Sequence, residues 1–470
     1  MIPKPSKLEG AIINLINDPD LKNAQIGIYI IDLDNNKIIS KKNETTGLIP
    51  ASTQKIITTS AGLGILGADF KFKTQIQYTG TIDSLGNLNG DIIIKGGGDP
   101  ALGSERFKNY FNPDFIDVWC DSVIAAGIKK INGNIISDKS MYSRRNPIPA
   151  TWVWGDIANY YGAGVFALSV YENMYKIHFE SGKNQGDSTI IKYIEPEIPG
   201  LIIENHVTAS NVNSDNAYIY GGVFDNYRII EGTIPKNKTD FIVKGSIPNP
   251  PLLIANKFNK ALIEKGVDIA GTATTTDRIS IPDSIIRHNI TCTYSPPLSS
   301  LIYVINMVSH NLFADHLLVY LGYLKFGSGD FISGTKAVEE YWKSKGIDID
   351  GMNLQDGSGL SHFNTVTPKQ LVDILSFVYK SNYKDIFMKT LPVAGVSGTM
   401  MYSCKGTVAE NMVFAKSGSM TRVRSCAGYV KTITGKNLAF SIIVNNYNCS
   451  SYQMKLKIDK IFEAMAEYPN

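Results

Sequence analysis

The chain has 470 residues, of which 43% are hydrophobic and 19% are charged. This composition is typical of a globular protein, and the length predicts two or three domains instead of a single core. The 46 basic and 43 acidic residues give a net charge of +3 without any block of like charge, which excludes the basic surface of a nucleic-acid-binding protein. The five cysteines include no Cys-x-x-Cys pair, so no metal site is predicted.

The sequence does not indicate a membrane protein. No apolar run approaches the roughly 20 residues that span a bilayer, and nothing indicates peripheral membrane association. The amino terminus lacks the apolar stretch of a secretory signal. We therefore expect either a cytoplasmic protein or one whose signal was removed and replaced by a start methionine.

The first elements in chain order are a helix, a hairpin and a second helix. Apolar residues at helical spacing predict a helix over 7–17. Two β-branched runs, 26–33 and 37–40, flank an Asp-Asn-Asn turn and predict a hairpin. A further apolar pattern predicts a buried helix over 52–66.

From about 72 to 281 the pattern changes to short β-rich runs separated by Gly- and Asn-rich turns, which predicts a separate β-rich insertion. A polar, proline-containing connection is expected between 282 and 299. The remaining predicted helices lie at 299–325, 335–346, 368–380 and 452–467, and the remaining strands at 424–432 and 437–445. The sequence therefore predicts an α/β domain that is split by a long insertion.

The first candidate motif, Ser52-x-x-Lys55, lies at the start of the predicted buried helix. Residues three apart share one face of a helix, so the Lys55 amine can reach the Ser52 hydroxyl. A serine hydroxyl needs a base within hydrogen-bond reach to act as a nucleophile. Lysine can serve only when burial or a neighbouring cation, such as Lys416, lowers its pKa. The same spacing also occurs by chance, at Ser333/Lys336 and Ser381/Lys384.

The second candidate motif, Ser309-His310-Asn311, precedes an amphipathic run. The Ser309 hydroxyl can relay a proton to a leaving amine, and the Asn311 amide can bind the lysine and a substrate carbonyl. Ser214-Asp215-Asn216 fits the same pattern, but it lies among Asn-rich turns of the insertion, where such residues form turns. We therefore favour the copy at Ser309, in which His310 occupies the variable position.

The third candidate motif, Lys416-Ser417-Gly418, is predicted to lie on an edge strand beside the site. The lysine and the Ser417 hydroxyl can bind a substrate carboxylate, and Gly418 lets a substrate backbone approach closely. The amide N–H groups of Ser419 and Ser52 would form an oxyanion hole, in which one donor is typically worth about 10²–10³ in rate.

These three motifs in this order resemble those of the low-molecular-mass class C penicillin-binding proteins, the D-Ala-D-Ala carboxypeptidase/endopeptidase group of peptidase family S13. Further stretches resemble the same family along nearly the whole chain. They are Lys95-Gly-Gly-Gly-Asp-Pro100, Tyr160-Tyr-Gly-Ala163, Ala167-Leu168, Glu172-Asn173, Ser295-Pro-Pro-Leu298, Asp356-Gly-Ser-Gly-Leu-Ser361, Leu391-Pro-Val-Ala-Gly395, Gly398-Thr399 and Ala427-Gly-Tyr-Val430.

The resemblance implies an architecture that fits the predicted organisation. It implies an α/β (α+β) penicillin-recognising domain of the serine transpeptidase/β-lactamase type, split by a β-rich second domain that contains a nested third domain. The corresponding boundaries are 1–71 and 282–470 for the catalytic domain, 72–97 and 173–281 for the β-rich domain, and 98–172 for the nested domain. The resemblance also implies a periplasmic or other extracytoplasmic location, with the signal absent from this sequence, and no cofactor.

The resemblance implies a serine D,D-peptidase that acts on peptidoglycan stem peptides in two covalent half-reactions. Ser52 would attack the carbonyl of the penultimate D-Ala, and water would then hydrolyse the acyl-enzyme. β-Lactam antibiotics would act as covalent inhibitors, because they mimic the substrate and deacylate slowly. Carboxypeptidase and endopeptidase activities use the same steps, and the sequence does not separate them.

A side-chain pocket is also implied. By motif, the residues that read the free amino end of the peptide's diamino acid correspond to Asp156 and Tyr161; the alternative for Asp156 is a helix-capping carboxylate. Many relatives carry arginine where this chain has His362, which leaves the preferred form of the side chain open, because a histidine charge depends on pH. The third motif has Ser417 where threonine is usual, and the hydroxyl is retained.

Two alternatives accompany this interpretation. A serine β-lactamase or esterase on the same core would need a dedicated water-activating residue, commonly glutamate, and the sequence offers no convincing candidate. A wall-binding or scaffolding protein would not need every motif residue that is retained here. An active D,D-peptidase is therefore the favoured hypothesis.

Overall fold

A computed structural model describes residues 6–112, 114–143 and 146–469. The amino-terminal residues, on which the expectation about a removed signal partly rests, lie outside it. The helices are α1 (Lys7–Ile16), α2 (Lys55–Leu66), α3 (Phe115–Ala125), α4 (Trp154–Ile157), α5 (Pro250–Glu264), α6 (Leu298–Met307), α7 (Asn311–Phe326), α8 (Phe331–Ser344), α9 (Pro368–Tyr379), α10 (Lys384–Thr390) and α11 (Ser451–Ala466).

The strands alternate with these helices along the chain. They are β1 (Gln25–Asp32), β2 (Ile38–Lys42), β3 (Lys73–Thr79), β4 (Thr81–Ile82), β5 (Asn87–Asn89), β6 (Ile92–Lys95), β7 (Lys130–Ile131), β8 (Ile135–Asp138), β9 (Met174–Ser181), β10 (Thr189–Glu195), β11 (Ile202–Ser210), β12 (Asn216–Tyr220), β13 (Tyr227–Pro235), β14 (Phe241–Ser246), β15 (Asp268–Ile269), β16 (Ala273–Thr275), β17 (Arg287–Tyr294), β18 (Val413–Met420), β19 (Val423–Lys431) and β20 (Asn437–Asn445).

The chain divides into two compact units. The first, unit 1, comprises Met1–Phe70, Pro297–Gly327 and Phe331–Asn470, and the second, unit 2, comprises Lys71–Pro296 and Ser328–Asp330. The chain therefore enters unit 2 after the helix that follows the first motif and returns before the other two. The boundaries of a nested third domain stay a prediction.

Unit 1 is built on an antiparallel five-stranded sheet in the order β18-β19-β20-β1-β2. The predicted hairpin and the two carboxy-terminal strands are confirmed as members of this sheet. Helices α1 and α11 share one hydrophobic cluster with it, through residues such as Leu8, Ile12, Ile458 and Phe462. Burying one such side chain stabilises the fold by about 1.5–3 kcal/mol. This core fixes the sheet whose edge strand carries the third motif.

Helix α2 is buried all round: every residue from Lys55 to Leu63 is buried. A helix that is apolar on all sides belongs in the interior of a domain. Gly62 makes close packing on α7 feasible, because a Cβ atom there would lie 2.6 Å from a methyl group of Leu317. The first motif is therefore anchored on the most enclosed helix of unit 1.

Unit 2 contains four sheets, in the orders β10-β9-β14, β11-β13-β12, β15-β7-β5-β4 and β16-β8-β6-β3-β17, within the part of the chain that is described. The predicted β-rich character of the insertion is confirmed. One hydrophobic cluster joins these sheets to α3 and α5, and the rings of Trp119 and Phe258 meet edge to face within it, 5.5 Å apart.

Two sequence predictions are wrong. The expected connection between 282 and 299 contains β17, which pairs with β3; β17 has no fully buried residue and hence no clear apolar alternation to read. The single helix expected over 299–325 is two helices, α6 and α7, separated at Val308–His310. Among the described residues, no helix combines the length and apolar character needed to cross a membrane.

Candidate active site

Ser52 lies in a tight turn immediately before α2. Residues Ala51–Gln54 form a 3₁₀ turn, so Ser52 does not lie in the first turn of the α-helix itself but just before it. Ala51 has a left-handed backbone, with φ of 46°, a conformation that costs a non-glycine residue about 1–3 kcal/mol. The hydroxyls of Thr53 and Ser425 both donate to the carbonyl oxygen of Pro50 and hold this turn in place.

The Lys55 amine is fully buried and fully hydrogen-bonded. Its Nζ donates to Ser52 Oγ at 2.9 Å, to Asn311 Oδ1 at 2.7 Å and to the carbonyl oxygen of Ser358 at 2.6 Å. An ammonium group has three donors, and these three acceptors use all of them. The first two motifs thus meet at one nitrogen atom.

Burial lowers the pKa of Lys55 to about 8, against the opposing charges of Asp315 and Asp356. Burial also raises the pKa of Asp315 well above its ordinary value, and the charge of Asp356 adds to this. A lysine with a pKa near 8 presents an appreciable neutral fraction at physiological pH, which is what a general base requires. The predicted activation of the lysine therefore has a physical cause here.

The two carboxylates hold the loop that supplies the Ser358 carbonyl. Asp315 Oδ1 accepts from the N–H groups of Gly357 and Ser358 at 2.8 and 2.9 Å. Asp356 accepts from the N–H groups of Gly359 and Ser361, both at 2.7 Å. Because Asp315, Asp356 and Ser358 are all buried, this network fixes the position of the Ser358 carbonyl oxygen, which is the third acceptor of Lys55.

The second motif occupies the break between α6 and α7. Ser309 has a left-handed backbone with φ of 61°, and it leads into His310, whose ring nitrogen caps α7 by accepting from the N–H of Phe313. Asn311 is the first residue of α7. Asn311 therefore contacts Lys55 directly, and Ser309, two residues earlier in the chain, is half-buried in the connection between the two helices.

The third motif lies on β18, which is an edge strand of the sheet, as predicted. Lys416 is fully buried, and its Nζ donates to the carbonyl oxygen of Ser417 at 2.7 Å. Burial lowers the pKa of Lys416 well below its usual range, and the charge of Lys55 lowers it further. The Ser417 hydroxyl donates to Thr399 Oγ1 at 2.8 Å.

Gly418 brings the edge strand against the Ser52 turn. A Cβ atom at this position would lie 2.8 Å from the backbone nitrogen of Ser52 and 2.7 Å from the carbonyl oxygen of Pro50. Contacts this short do not occur between real atoms of these types, so the approach requires glycine. The predicted role of Gly418 was an approach by substrate; the contact observed is with the chain's own Ser52 turn.

The N–H groups of Ser417 and Ser419 point to the outer side of β18. The carbonyl of Met412 accepts from β19, through the N–H of Lys431, and alternate residues of a strand direct their backbone groups to opposite sides. Ala415, of the other parity, donates outward to the carbonyl of Pro392 at 2.9 Å. Ser417 and Ser419 share the parity of Ala415, so the Ser419 N–H lies on the edge where an oxyanion donor is expected.

The remaining predicted residues are Asp156 and Tyr161 in unit 2 and His362 in unit 1. Asp156 and Tyr161 belong to unit 2, where the Tyr161 hydroxyl donates to Asp156 Oδ1 at 3.2 Å; burial raises the pKa of Tyr161, and the neighbouring Asp156 raises it further. His362 is exposed. Ser214 and Asn216 are also in unit 2 and hydrogen-bond to each other at 2.9 Å.

Sequence reasoning missed three contributors to the site: Thr399, Asp315 and Asp356. Asp356 and Thr399 fall in stretches noted for their resemblance to the family, but the pattern gave them no role. Asp315 lies within the amphipathic run after the second motif. A charged residue on the buried face of that run is the signal that could have identified it.

Comparisons with known proteins identify the family of the chain. The family model described as D-Ala-D-Ala carboxypeptidase 3 (S13) matches residues 8–468. A D-alanyl-D-alanine carboxypeptidase DacB of Haemophilus influenzae is 27% identical over 442 residues, covering 92% of this chain and 88% of that protein. A D-alanyl-D-alanine carboxypeptidase of an Actinomadura species is 27% identical over 477 residues, covering 98% and 85%.

A solved structure is also similar. Penicillin-binding protein 4 of Haemophilus influenzae superposes with a TM-score of 0.81 at 26% identity, covering 97% of this chain and 99% of that one. The likeness therefore extends over both units.

Replacement of Gly418 by alanine is expected to disable the site without unfolding the protein. The added methyl group would push β18 away from the Ser52 turn and displace both expected oxyanion donors, so the rate of labelling by a fluorescent penicillin should fall about 10²-fold or more. Gly10→Ala is the matched control, because nothing lies within 4 Å of a Cβ atom there. Equal labelling rates in the two variants would contradict the packing argument.

The rate of that labelling is expected to rise with pH and to level off above an apparent pKa of about 8, because burial lowers the pKa of Lys55 to about 8 and only the neutral amine can accept a proton. Well below that pKa the rate should fall about tenfold for each pH unit. Lys55→Arg should abolish labelling at every pH, since arginine stays protonated. Lys336→Arg, in the chance Ser-x-x-Lys copy, should leave the profile unchanged. A flat profile in the wild-type protein would rule out Lys55 as the base.

Proposed function

The chain belongs to the D-Ala-D-Ala carboxypeptidase 3 (S13) family of serine peptidases, and we propose that it cleaves peptidoglycan stem peptides through an acyl-enzyme on Ser52. The three hydrogen bonds of the buried Lys55 amine, one of them to the Ser52 hydroxyl, support this most directly. Peptidoglycan lies outside the cytoplasmic membrane, so the protein is proposed to work there.

In the first half-reaction, neutral Lys55 takes the proton of the Ser52 hydroxyl while Oγ attacks the carbonyl carbon of the penultimate D-Ala. The N–H groups of Ser52 and Ser419 stabilise the oxyanion of the tetrahedral intermediate. When the C–N bond breaks, the proton passes to the departing amine through the Ser309 hydroxyl. D-Ala, or a cross-linked chain, leaves as a neutral amine, and the ester on Ser52 remains.

In the second half-reaction, water replaces the amine. Lys55 takes a proton from the water molecule as its oxygen attacks the ester carbon, and the same two N–H groups stabilise the second oxyanion. The C–O bond to Ser52 then breaks, and the serine oxygen regains a proton from Lys55. The product leaves as the carboxylic acid of the shortened peptide and loses its remaining proton to solvent, and the site returns to its starting state.

The terminal carboxylate of the substrate is proposed to bind beside Lys416 and the Ser417 hydroxyl. The single O–H of Ser417 is donated to Thr399 Oγ1, so it would turn from Thr399 to the carboxylate when the substrate binds. Gly418 and the outward N–H groups of Ser417 and Ser419 leave the edge of β18 suited to an extended peptide, which would add to the sheet as a further strand.

β-Lactams are proposed to acylate the same serine. Their strained amide offers Ser52 a carbonyl and their carboxylate suits the Lys416 and Ser417 anchor. The leaving nitrogen stays tethered to the acyl group after ring opening, so it blocks the approach of water. Slow deacylation then makes the drug an inhibitor instead of a substrate.

Ser52→Ala should abolish both labelling by fluorescent penicillin and release of D-Ala from a peptide ending in D-Ala-D-Ala. The hydroxyl is the attacking group, so its loss leaves only the weak catalysis of the remaining site, about 10⁴-fold or more below wild type. Mass spectrometry of the intact protein would report the adduct. Ser333→Ala is the matched control and should behave as wild type; labelling that persists in Ser52→Ala would place the nucleophile elsewhere.

Asp156 is proposed to read a free amine on the side chain of the diamino acid, with Tyr161 beside it. Asp156→Asn keeps the acceptor for the Tyr161 hydroxyl but removes the charge, so KM should rise about tenfold for a substrate with a free side-chain amine. The same substrate with that amine acetylated should show no change. An equal loss on both substrates would indicate a structural role for Asp156. The same assay applied to His362→Arg tests whether residue 362 sets the preferred form of the substrate side chain.

A further inference from the structure

Unit 2 contains a cavity of about 550 Å³ that is lined mostly by charged side chains. Its size falls within the range of pockets that hold small ligands, about 300–1,000 Å³. Its walls come from unit 2 alone: the loop before α3, the segment Tyr171–Asn173, the strands β9, β10 and β14, and helix α5. None of its lining residues belongs to the three motifs.

One wall is held in a strained conformation. Tyr171, Glu172 and Asn173 all have left-handed backbones, with φ of 55°, 56° and 49°. Each such residue costs about 1–3 kcal/mol and persists only where the surroundings enforce it. The buried Glu172 side chain helps to enforce this conformation, because it accepts a hydrogen bond from the Ser104 hydroxyl and pairs with Arg106 at 3.2 Å. The Glu172-Asn173 stretch thus shapes this cavity.

A second wall brings like charges together. Lys176 on β9 lies directly opposite Glu195 on β10 and directly opposite Lys244 on β14, so the three side chains share one face of the sheet. Lys176 is paired with Glu195 at 3.2 Å and with Glu105 at 2.5 Å. Like charges directly opposite across a sheet are destabilising, and no carboxylate among the residues that the structure describes forms an ion pair with Lys244.

Two lysines of the cavity therefore have no carboxylate partner among the described residues. Within the described part of the chain, Lys244 and Lys257 form no ion pair; their amines lie instead over the rings of Tyr160 and Tyr171, at 5.8 and 5.5 Å from the ring centres. The cavity lining also carries the exposed carboxylates of Glu105 and Glu195, with side-chain exposures of 75% and 49%. The cavity thus presents both signs of charge.

We propose that this cavity binds a short peptide that carries two carboxylates and at least one free amine. Lys244 and Lys257 would receive the carboxylates, and Glu105 and Glu195 would receive the amine. A phosphate polymer would meet the same glutamates as repulsive neighbours, and a purely cationic ligand would meet the lysines. The mixed lining therefore favours a zwitterionic peptide over a polyanion.

The test is calorimetric titration of the full chain with the tripeptide Ala-Glu-Lys. The wild-type protein should bind it saturably, and Kd should rise at least tenfold in Lys244→Ala/Lys257→Ala, since both carboxylates lose their partners. Ala-Gln-Lys amide, which has no carboxylate, should bind at least tenfold more weakly than Ala-Glu-Lys. Lys260→Ala, on the same helix as Lys257, is the matched control and should leave Kd unchanged.

Three outcomes would overturn the proposal: no saturable binding by the wild type, an equal Kd in the double variant, or tighter binding of inorganic phosphate than of the peptide. Lys244→Ala alone serves if the double variant fails to fold. Release of D-Ala by the double variant should remain within about twofold of wild type, so a failure here is distinguishable from a failure of the Ser52 mechanism.

Discussion

The burial of the Lys55 ammonium group is the constraint on which the candidate active site depends. Removing a charged amine from water is costly unless hydrogen bonds and opposite charges replace the lost hydration. The chain meets this demand with three acceptors drawn from three distant segments and with two buried carboxylates behind them. The compensation is incomplete, since the pKa of Lys55 still falls to about 8. That residual cost is what makes the lysine usable as a base.

The same constraint explains why the surroundings are strained. Ser52 and Asn311 can meet one nitrogen only if the chain enters α2 and α7 at fixed angles, and the left-handed residues Ala51 and Ser309 occupy those two entries. Such conformations persist because neighbouring groups over-determine them. Gly418 closes the third side, where a side chain would collide with the Ser52 turn. The three motifs are therefore coupled sterically as well as chemically.

Much of the architecture of unit 1 could be predicted. Helical periodicity indicates α1, α9 and α11, and near-continuous apolar runs indicate β1, β19 and β20, which are buried on both faces. The break between α6 and α7 could not be predicted, since no glycine or proline marks it. That His310 caps α7 is apparent only from the structure. Strand β17 was not predicted because none of its residues is fully buried, so its sequence has no clear alternation of apolar and polar residues.

The contacts of the site could be predicted between residues that are close in sequence, but not between residues that only the tertiary structure brings together. Ser52 and Lys55 are one turn apart in sequence, so their contact follows from helix geometry. Asp315, Asp356 and Thr399 act through loops and sheets that only the fold brings together. Asp315 carries a signal in the sequence, as a charged residue on the buried face of an amphipathic run, but the residue types of Asp356 and Thr399 carry none by themselves.

The lysines of this chain show how burial alone divides one residue type into two functions. Lys55 and Lys416 are fully enclosed, and enclosure makes the uncharged amine accessible, which suits proton transfer at Lys55. Lys244 and Lys257 lie at an open cavity next to tyrosine rings, where solvent supports the charge and an anion can approach. In the proposals made above, Lys55 exchanges a proton with its ligand, Lys416 offers N–H donors to the substrate carboxylate, and Lys244 and Lys257 hold their ligand by charge. The proposed chemistry of unit 1 and the proposed recognition in unit 2 both follow from this difference in hydration.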